Sequence, residues 1–117
     1  MAVDLTLAPK QKRPAGEVCC TPVARPEVTP AQAERLAQLA RALADPVRVQ
    51  LVDVLRKHAG KVCVCELVPL FEMSQPALSK HLKVLIGAGV LGAERRGLWT
   101  YYFMKPEALE VLKTWLS

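Results

Sequence analysis

The chain has 117 residues, the size of one domain, and its 51% hydrophobic and 23% charged residues form a composition that excludes a disordered protein. No apolar run approaches the roughly 18 residues of a membrane span, and the first residues lack the pattern of a signal peptide, so we expect a cytoplasmic protein with no membrane contact. The formal net charge of +5 favours a polyanionic partner. So small a domain also favours oligomerisation, because it buries a modest fraction of its surface.

Residues 1–28 are predicted to form a flexible, irregular arm. They contain four of the nine prolines and show no periodic apolar pattern. The arm carries the adjacent pair Cys19 and Cys20. The remaining residues, 29–117, are predicted to form one folded domain.

The first helices are predicted from a repeated start signal. Thr29-Pro30 and Asp45-Pro46 each combine a helix-capping residue with a proline that suits the first helical turn. Apolar residues at helical spacing extend the first helix over 30–44 and the second from Pro46 to about His58. A short third helix is predicted over 64–71, and Pro69 should shorten or bend it.

The second half of the chain predicts a helix, a β-hairpin and a last helix. Ser74 caps the fourth helix, which the glycines from Gly87 to Gly89 end. Residues 90–95 and 99–103 are predicted strands joined by a turn at 96–98, and the last helix covers 106–116. The element order predicts a mainly α fold with a small β-hairpin wing, which is a winged helix-turn-helix.

The fourth helix has the composition of a DNA recognition helix. Leu78, Leu82 and Leu85 lie on its core side, and polar and basic residues lie on the other. Between residues 74 and 99, four basic residues face one acidic residue. A solvated basic surface is the alternative, but glutamine and serine can read base edges and lysine can reach phosphate or guanine. The predicted DNA-binding residues are Ser74, Gln75, Pro76, Ala77, Ser79, Lys80, His81, Lys83, Arg95 and Arg96.

The four cysteines form two tight clusters, Cys19 with Cys20 and Cys63 with Cys65. Neighbours this close rarely reach the geometry of a relaxed disulfide, so we expect reduced thiols. Clustered free thiols indicate binding of a soft metal or metalloid, or redox chemistry. Because Cys63 and Cys65 lie near a helix start, we expect lowered thiol pKa values.

Four segments resemble the ArsR/SmtB family of metalloregulators: Cys63–Leu67 (CVCEL), Ser74–Leu85 (SQPALSKHLKVL), Gly87–Leu91 (GAGVL) and Glu94–Tyr102 (ERRGLWTYY). The Cys-x-Cys-Glu-Leu segment resembles the arsenic-responsive repressors of that family. The resemblance implies a homodimer packed through the first and last helices, about 30–44 and 106–116. It also implies binding to a dyad-symmetric operator on double-stranded DNA, which is released when As(III) or Sb(III) binds as inducer, with no permanently bound cofactor. The expected interface residues are Leu36, Leu39, Leu43, Leu109, Leu112 and Leu116.

The sequence departs from the family pattern at Val68, in its last helix and at Pro69, which stands within the third helix. Arsenical repressors of the best-known type carry a third cysteine where this chain has Val68. Trivalent arsenic takes three thiolates, and Cys19 or Cys20, from the same subunit or across the dimer, could complete the set. The last helix has no histidine, which makes a zinc site there unexpected.

Three other functions are weighed against the arsenical repressor. A thiol-based redox-sensing repressor would have the same fold. An enzyme, such as a thiol-dependent arsenate reductase, is not expected because the chain has no Gly-rich anion loop and because neither Cys63 nor Cys65 is followed by an arginine six positions later, where Pro69 and Phe71 stand. A metallochaperone would not need a basic recognition helix.

Overall fold

The structure, a computed structural model, describes residues 22–58 and 60–117. The predicted arm therefore lies largely outside the described residues, and its Cys19 and Cys20 lie wholly outside them. The elements are α1 (Pro30–Ala42), α2 (Pro46–Arg56), β1 (Val62–Cys63), α3 (Val64–Leu67), a single 3-10 turn (Val68–Leu70), α4 (Gln75–Gly87), β2 (Leu91–Arg96), β3 (Trp99–Met104) and α5 (Pro106–Leu116).

The helix starts lie at the predicted capping residues. The Gln32 backbone N–H donates to Thr29 Oγ1 over 3.1 Å, and the Thr29 N–H donates to Gln32 Oε1 over 2.8 Å, which forms a reciprocal cap on α1. The Asp45 carboxylate accepts from two backbone N–H groups at the start of α2. Both helices end about two residues earlier than predicted, a usual error for helix ends.

The predicted third helix over 64–71 is shorter than expected. Four residues are α-helical, and the chain then tightens into the 3-10 turn that contains Pro69. Proline has no N–H to continue an α-helical ladder, and Phe71 is already extended. Pro69 therefore limits α3 to about one turn.

The sheet has three strands where the sequence predicts a two-stranded hairpin. β1 pairs antiparallel with β3, with Val62 opposite Tyr102 and Cys63 opposite Tyr101, so the strand order is β1-β3-β2. β1 was not predicted because a two-residue strand has no apolar period to detect. The hairpin itself is confirmed, and Gly97 makes its turn with a φ of 62°.

The core lies between α1, α2, α3, α4 and the inner face of the sheet. Its fully buried large side chains are Leu39, Leu51, Leu55, Leu67, Leu78, Leu82, Leu85, Val90 and Leu91. α1 also holds the end of α4, since Arg35 Nη1 donates to the Ala88 carbonyl oxygen over 2.7 Å and the Gln38 amide donates to that of Gly87 over 3.4 Å. These two bonds satisfy carbonyls that a helix end leaves unpaired.

Candidate DNA interface and thiol site

The outer face of α4 presents the polar residues that the sequence predicts. Leu78, Leu82 and Leu85 are fully buried, which orients the opposite side of the helix to solvent. Gln75, Pro76, Lys80 and Lys83 are exposed there, and Ser79 is half-buried. This face combines two cations with an amide and a hydroxyl, groups suited to phosphates and base edges.

Three other predicted contact residues of α4 have different surroundings. The Ser74 hydroxyl accepts from the Ala77 N–H over 3.3 Å and caps the helix, and Ala77 is half-buried. His81 points toward α2 rather than outward, with its Nδ1 atom 3.3 Å from Arg48 Nη1 and 3.9 Å from Asp45 Oδ1. The structure thus places His81 between helices, in a contact that residue spacing alone does not reveal.

Arg48 connects three helices around this histidine. Its Nε atom donates to the Ala42 carbonyl oxygen over 2.7 Å, and its Nη2 atom donates to that of Arg41 over 3.2 Å, both at the end of α1. Burial tends to raise the pKa of the Asp45 carboxyl, but the two N–H groups that it accepts and the charges of His81 and Arg48 outweigh burial and lower the pKa below 3.8. The cluster fixes α4 against α1 and α2.

The wing carries both predicted arginines at its exposed end. The Arg96 guanidinium lies 5.8 Å from the centre of the Tyr101 ring, and its Nε atom lies 3.2 Å from Glu94 Oε1. Glu94 also forms an ion pair with Lys61, which precedes β1. Arg95 donates to the Gly97 carbonyl oxygen over 3.3 Å and pairs with no carboxylate in the described part of the chain. The wing therefore keeps a positive surface.

Cys63 and Cys65 stand at the junction of β1 and α3. Cys63 is 3% exposed and is the N-cap of α3, where its Sγ accepts from the Cys65 N–H over 3.4 Å. The Glu66 carboxylate accepts in return from the Cys63 N–H over 3.3 Å. Cys65 is exposed, and both thiols are free. One buried and one accessible sulfur thus lie on consecutive elements.

The expectation of a lowered thiol pKa is wrong for Cys65. Its hydrogen bond with Cys63, together with burial and the nearby charges of Cys63 and Glu66, raises the pKa of the Cys65 thiol. A helix of four residues gives little dipole to oppose these effects. These surroundings therefore favour the protonated form of the Cys65 thiol.

The two sulfurs fit a soft ion, but the described residues supply no complete site around them. Thiolates are the ligands that soft metals and metalloids select. Within residues 22–58 and 60–117, no three histidine, cysteine, aspartate or glutamate side chains are grouped to hold a metal ion.

The face shared by α1 and α5 is apolar and open. A cleft of about 650 Å³ lies between these helices, and its wall includes Val28, Leu36, Val111 and Trp115. Of the predicted interface residues, Leu116 is 69% exposed, and Leu43, Leu109 and Leu112 are half-buried. The prediction that Leu39 lies in the dimer interface is wrong, because Leu39 is completely buried inside a single chain and cannot contact a partner.

Val111 was missed by sequence reasoning. It is 47% exposed on α5, one position away from the leucines that the helical spacing identifies.

None of the helices in the described part of the chain has the length and apolar character of a membrane span.

The comparisons with known proteins agree with this geometry. The family described as "Bacterial regulatory protein, arsR family" matches residues 45–91, from the cap of α2 to the start of β2. The arsenical resistance operon repressor of Bacillus subtilis (strain 168) is 40% identical over 72 residues, which are 62% of this chain and 68% of that protein.

Two solved structures are similar over most of the chain. An ArsR family transcriptional regulator has 28% identity and a TM-score of 0.66, with 72% of this chain and 84% of that one covered. A homodimeric winged helix-turn-helix DNA-binding domain from Mycobacterium bovis has 24% identity and a TM-score of 0.62, with 79% and 85% covered. At 24% identity the second similarity concerns the fold alone. Together the two structures confirm the predicted winged helix-turn-helix fold.

Proposed function

Because this chain belongs to the ArsR family of bacterial transcriptional regulators, we propose that it is a homodimeric repressor that releases a dyad-symmetric operator when As(III) or Sb(III) binds its cysteine thiolates. Family members are regulators rather than enzymes, which confirms the prediction that the chain is not an enzyme. In a reducing cytosol the thiols would remain available.

The placement of Cys63 and Cys65 is the observation that carries this proposal. They lie where β1 passes into α3, α3 packs against α4, and β1 pairs with β3 of the wing. A ligand bound to both sulfurs would compete with the hydrogen bond that Cys63 Sγ accepts from the Cys65 N–H, and would thereby move the Cys63 N-cap or the first turn of α3. Either movement reaches an element that the proposal assigns to DNA.

The inducer would be bound by three sulfurs. In arsenous acid, each thiol replaces one hydroxyl group on arsenic, the thiol proton leaves with that hydroxyl as water, and arsenic stays trivalent. Cys63 and Cys65 would supply two sulfurs, and Cys19 or Cys20 the third, from the same subunit or across the dimer. A coupling of about 1–3 kcal/mol between inducer and DNA would lower operator affinity roughly 5- to 150-fold.

Dimerisation is supported by the apolar face of α1 and α5. Trp115 and Leu116 are more than half exposed there, beside the open cleft. A two-fold dimer repeats the α4 surface, so that two half-sites are read from one face of the duplex.

The operator-release experiment tests the function as a whole. A duplex selected from a random pool by the wild-type protein is labelled, and its fluorescence anisotropy is followed during titration with arsenite, antimonite, zinc and peroxide. Arsenite and antimonite should release the DNA. Cys63→Ser and Cys65→Ser should bind DNA as wild type does but retain it in arsenite.

The outcomes against the proposal are distinct. Failure to select any DNA motif contradicts a repressor, and equal arsenite response in Cys63→Ser contradicts the thiol site. Release by peroxide but not by arsenite would indicate a thiol redox sensor instead.

X-ray absorption tests the third sulfur separately. The wild-type protein should show three As–S bonds, and the double variant Cys19→Ser, Cys20→Ser should lose one of them. Cys19→Ser alone is the matched control, since Cys20 can replace its neighbour. Three As–S bonds in the double variant would show that the arm is not part of the site.

The DNA interface is tested by alanine substitutions. Lys80→Ala and Lys83→Ala should weaken binding, while Gln75→Ala or Ser79→Ala should relax base preference by about 1–3 kcal/mol per lost contact. Arg95→Ala and Arg96→Ala should weaken binding to all sequences and flatten its salt dependence. Lys113→Ala on α5 is the control, and unchanged affinity in all six variants would remove the interface assignment.

A further inference from the structure

The tip of the wing exposes two large apolar side chains beside two cations. Leu98 is 88% exposed and Trp99 is 53% exposed, and Gly97 alone separates them from Arg95 and Arg96 in the chain. Single exposed apolar residues are common on protein surfaces, but an adjacent leucine and tryptophan at a turn are costly to leave in water. This group, residues 95–99, is called the wing tip.

The hairpin geometry projects Leu98 farthest from the body of the wing. Arg96 and Trp99 are the last paired residues of β2 and β3, and the positive φ of Gly97 closes a two-residue turn between them. Gly97 has no side chain, so Leu98 is the single large side chain in this turn. Arg95 and Arg96, on the positions before the turn, are both exposed.

Resting on the proposed function, we propose that the wing tip is an apolar wedge that inserts Leu98 into the minor groove of operator DNA. Arg95 and Arg96 hold the flanking phosphates, and Trp99 packs against the sugar edge beside the inserted leucine. Apolar wedges of this kind partly unstack one base step and bend the duplex. The minor groove is about 6 Å wide, which admits a side chain at a narrow turn.

The wedge would select sequence without reading a base edge. Pyrimidine–purine steps are the easiest to unstack, so the wing tip should favour such a step at its place in each half-site. This selection would act outside the bases that α4 reads. Leu98 is therefore assigned as a specificity-determining residue.

Leu98→Ser tests the wedge directly, because an 88% exposed side chain can be changed without disturbing the core. Operator affinity should fall roughly tenfold, the effect of losing one good contact to the bases. The slope of affinity against salt should stay as in wild type, because an apolar contact releases no counterions, whereas Arg95→Ala should flatten that slope. Leu98→Met should restore binding, and Val23→Ser, at a 92% exposed valine outside the wing, is the matched control.

Trp99 supplies a second readout that does not depend on affinity. The chain has two tryptophans, so Trp115→Phe leaves Trp99 as the sole indole emitter. Its emission should be quenched when the operator binds, and adding Leu98→Ser should reduce that quenching at saturating DNA. Repeating the selection from a random pool with Leu98→Ser should lose the pyrimidine–purine preference at the wing position.

The results separate this inference from the proposed function. Wild-type protein that selects no operator would contradict the repressor itself. Wild-type protein that binds an operator while Leu98→Ser binds it equally, with the same Trp99 quenching, would overturn the wedge and leave the repressor standing. A flattened salt slope in Leu98→Ser would also overturn the wedge, because Leu98 would then act only by placing the arginines. A surface for a protein partner would give the equal-binding result.

Discussion

At the scale of single residues, Asp45 does more than begin α2. Its carboxylate caps the helix through two backbone N–H groups and lies beside Arg48 and His81. Through Arg48 the same group reaches the carbonyls that end α1. A single charge therefore stabilises the junction on which α4 rests.

The lowered pKa of Asp45 gives a pH-dependent stability. Its contribution is complete above the unfolded value of 3.8 and is lost as the pH falls through the lower folded value. Asp45→Asn keeps a capping side chain but removes the charge. Wild type should therefore be more stable than Asp45→Asn at pH 7, and the two should converge as the pH falls below 3.8 and through the lower folded pKa.

Urea unfolding midpoints measured from neutral to acid pH check this expectation. Glu72→Gln, at an exposed carboxylate, controls for removing one surface charge. A difference between wild type and Asp45→Asn that stays constant with pH would show that hydrogen bonding rather than charge accounts for the effect.

Gly92 is required by a close approach within the hairpin. It lies opposite Phe103, and a Cβ atom at this position would collide with the Phe103 ring. Gly92→Ala should therefore destabilise the protein by about 1–3 kcal/mol, as overpacking does. Urea unfolding measures the loss. Gly87→Ala is the control, because a Cβ atom at Gly87 meets open space. Adding Phe103→Leu to Gly92→Ala should restore part of the lost stability. An unchanged free energy of unfolding in Gly92→Ala would mean that the Phe103 ring moves aside freely.

At the scale of elements, the short strand β1 joins the thiols to the wing. Cys63 is its second residue and lies opposite Tyr101, while Lys61 just before it pairs with Glu94 of β2 and lies 5.6 Å from the centre of the Phe103 ring. A displacement of Cys63 would therefore reach the wing as well as α3. The proposed switch has two outputs, α4 through α3 and the wing through β1.

Lys61→Met should weaken the coupling between the thiols and the wing, because it removes the ion pair between Lys61 and Glu94. The ion pair is partly exposed, so we expect the arsenite-induced loss of operator affinity to shrink by at most about 1 kcal/mol, or roughly fivefold. Arsenite affinity, measured by calorimetry, should be unchanged. Lys57→Met, which removes a lysine paired with Asp53 on α2, is the control. An undiminished arsenite effect in Lys61→Met would assign the whole response to α3.

At the scale of the whole molecule, the α1–α5 face is an open apolar surface. It carries the cleft and the exposed apolar residues of α5, and through Arg35 and Gln38 the same α1 helix holds the end of α4. A dimer built on this face would set the distance between two α4 helices. The geometry of the dimer and the distance between the two operator half-sites would then both depend on α1.

Trp115→Asp should give a folded monomer. The side chain is 55% exposed, so a charge there costs little in the single chain but a great deal in a buried interface. Sedimentation should show half the wild-type mass, with the helical circular dichroism kept and operator affinity reduced. Val49→Asp, at a valine of 51% exposure on α2, is the matched control. Trp115→Asp that stays dimeric would place the interface elsewhere.

The sequence by itself determined the helices and the outward face of α4. Capping residues, prolines and apolar spacing are local signals, and they act within a few residues of the structure that they specify. For the same reason Gln75, Lys80 and Lys83 were correctly expected to be exposed. The membership of the family follows from equally local motifs.

Only the tertiary structure decided β1, the place of His81, the burial of Leu39 and the surroundings of Cys63. β1 exists because β3, almost forty residues later, supplies its hydrogen-bond partners. A strand of two residues is too short to show the alternation of apolar and polar residues from which a strand is predicted. His81 turns inward because Asp45 and Arg48 lie next to it at the start of α2. The pKa of the Cys65 thiol rises chiefly because that thiol forms a hydrogen bond with Cys63. Each depends on a partner that packing brings together, and a linear pattern does not contain that information.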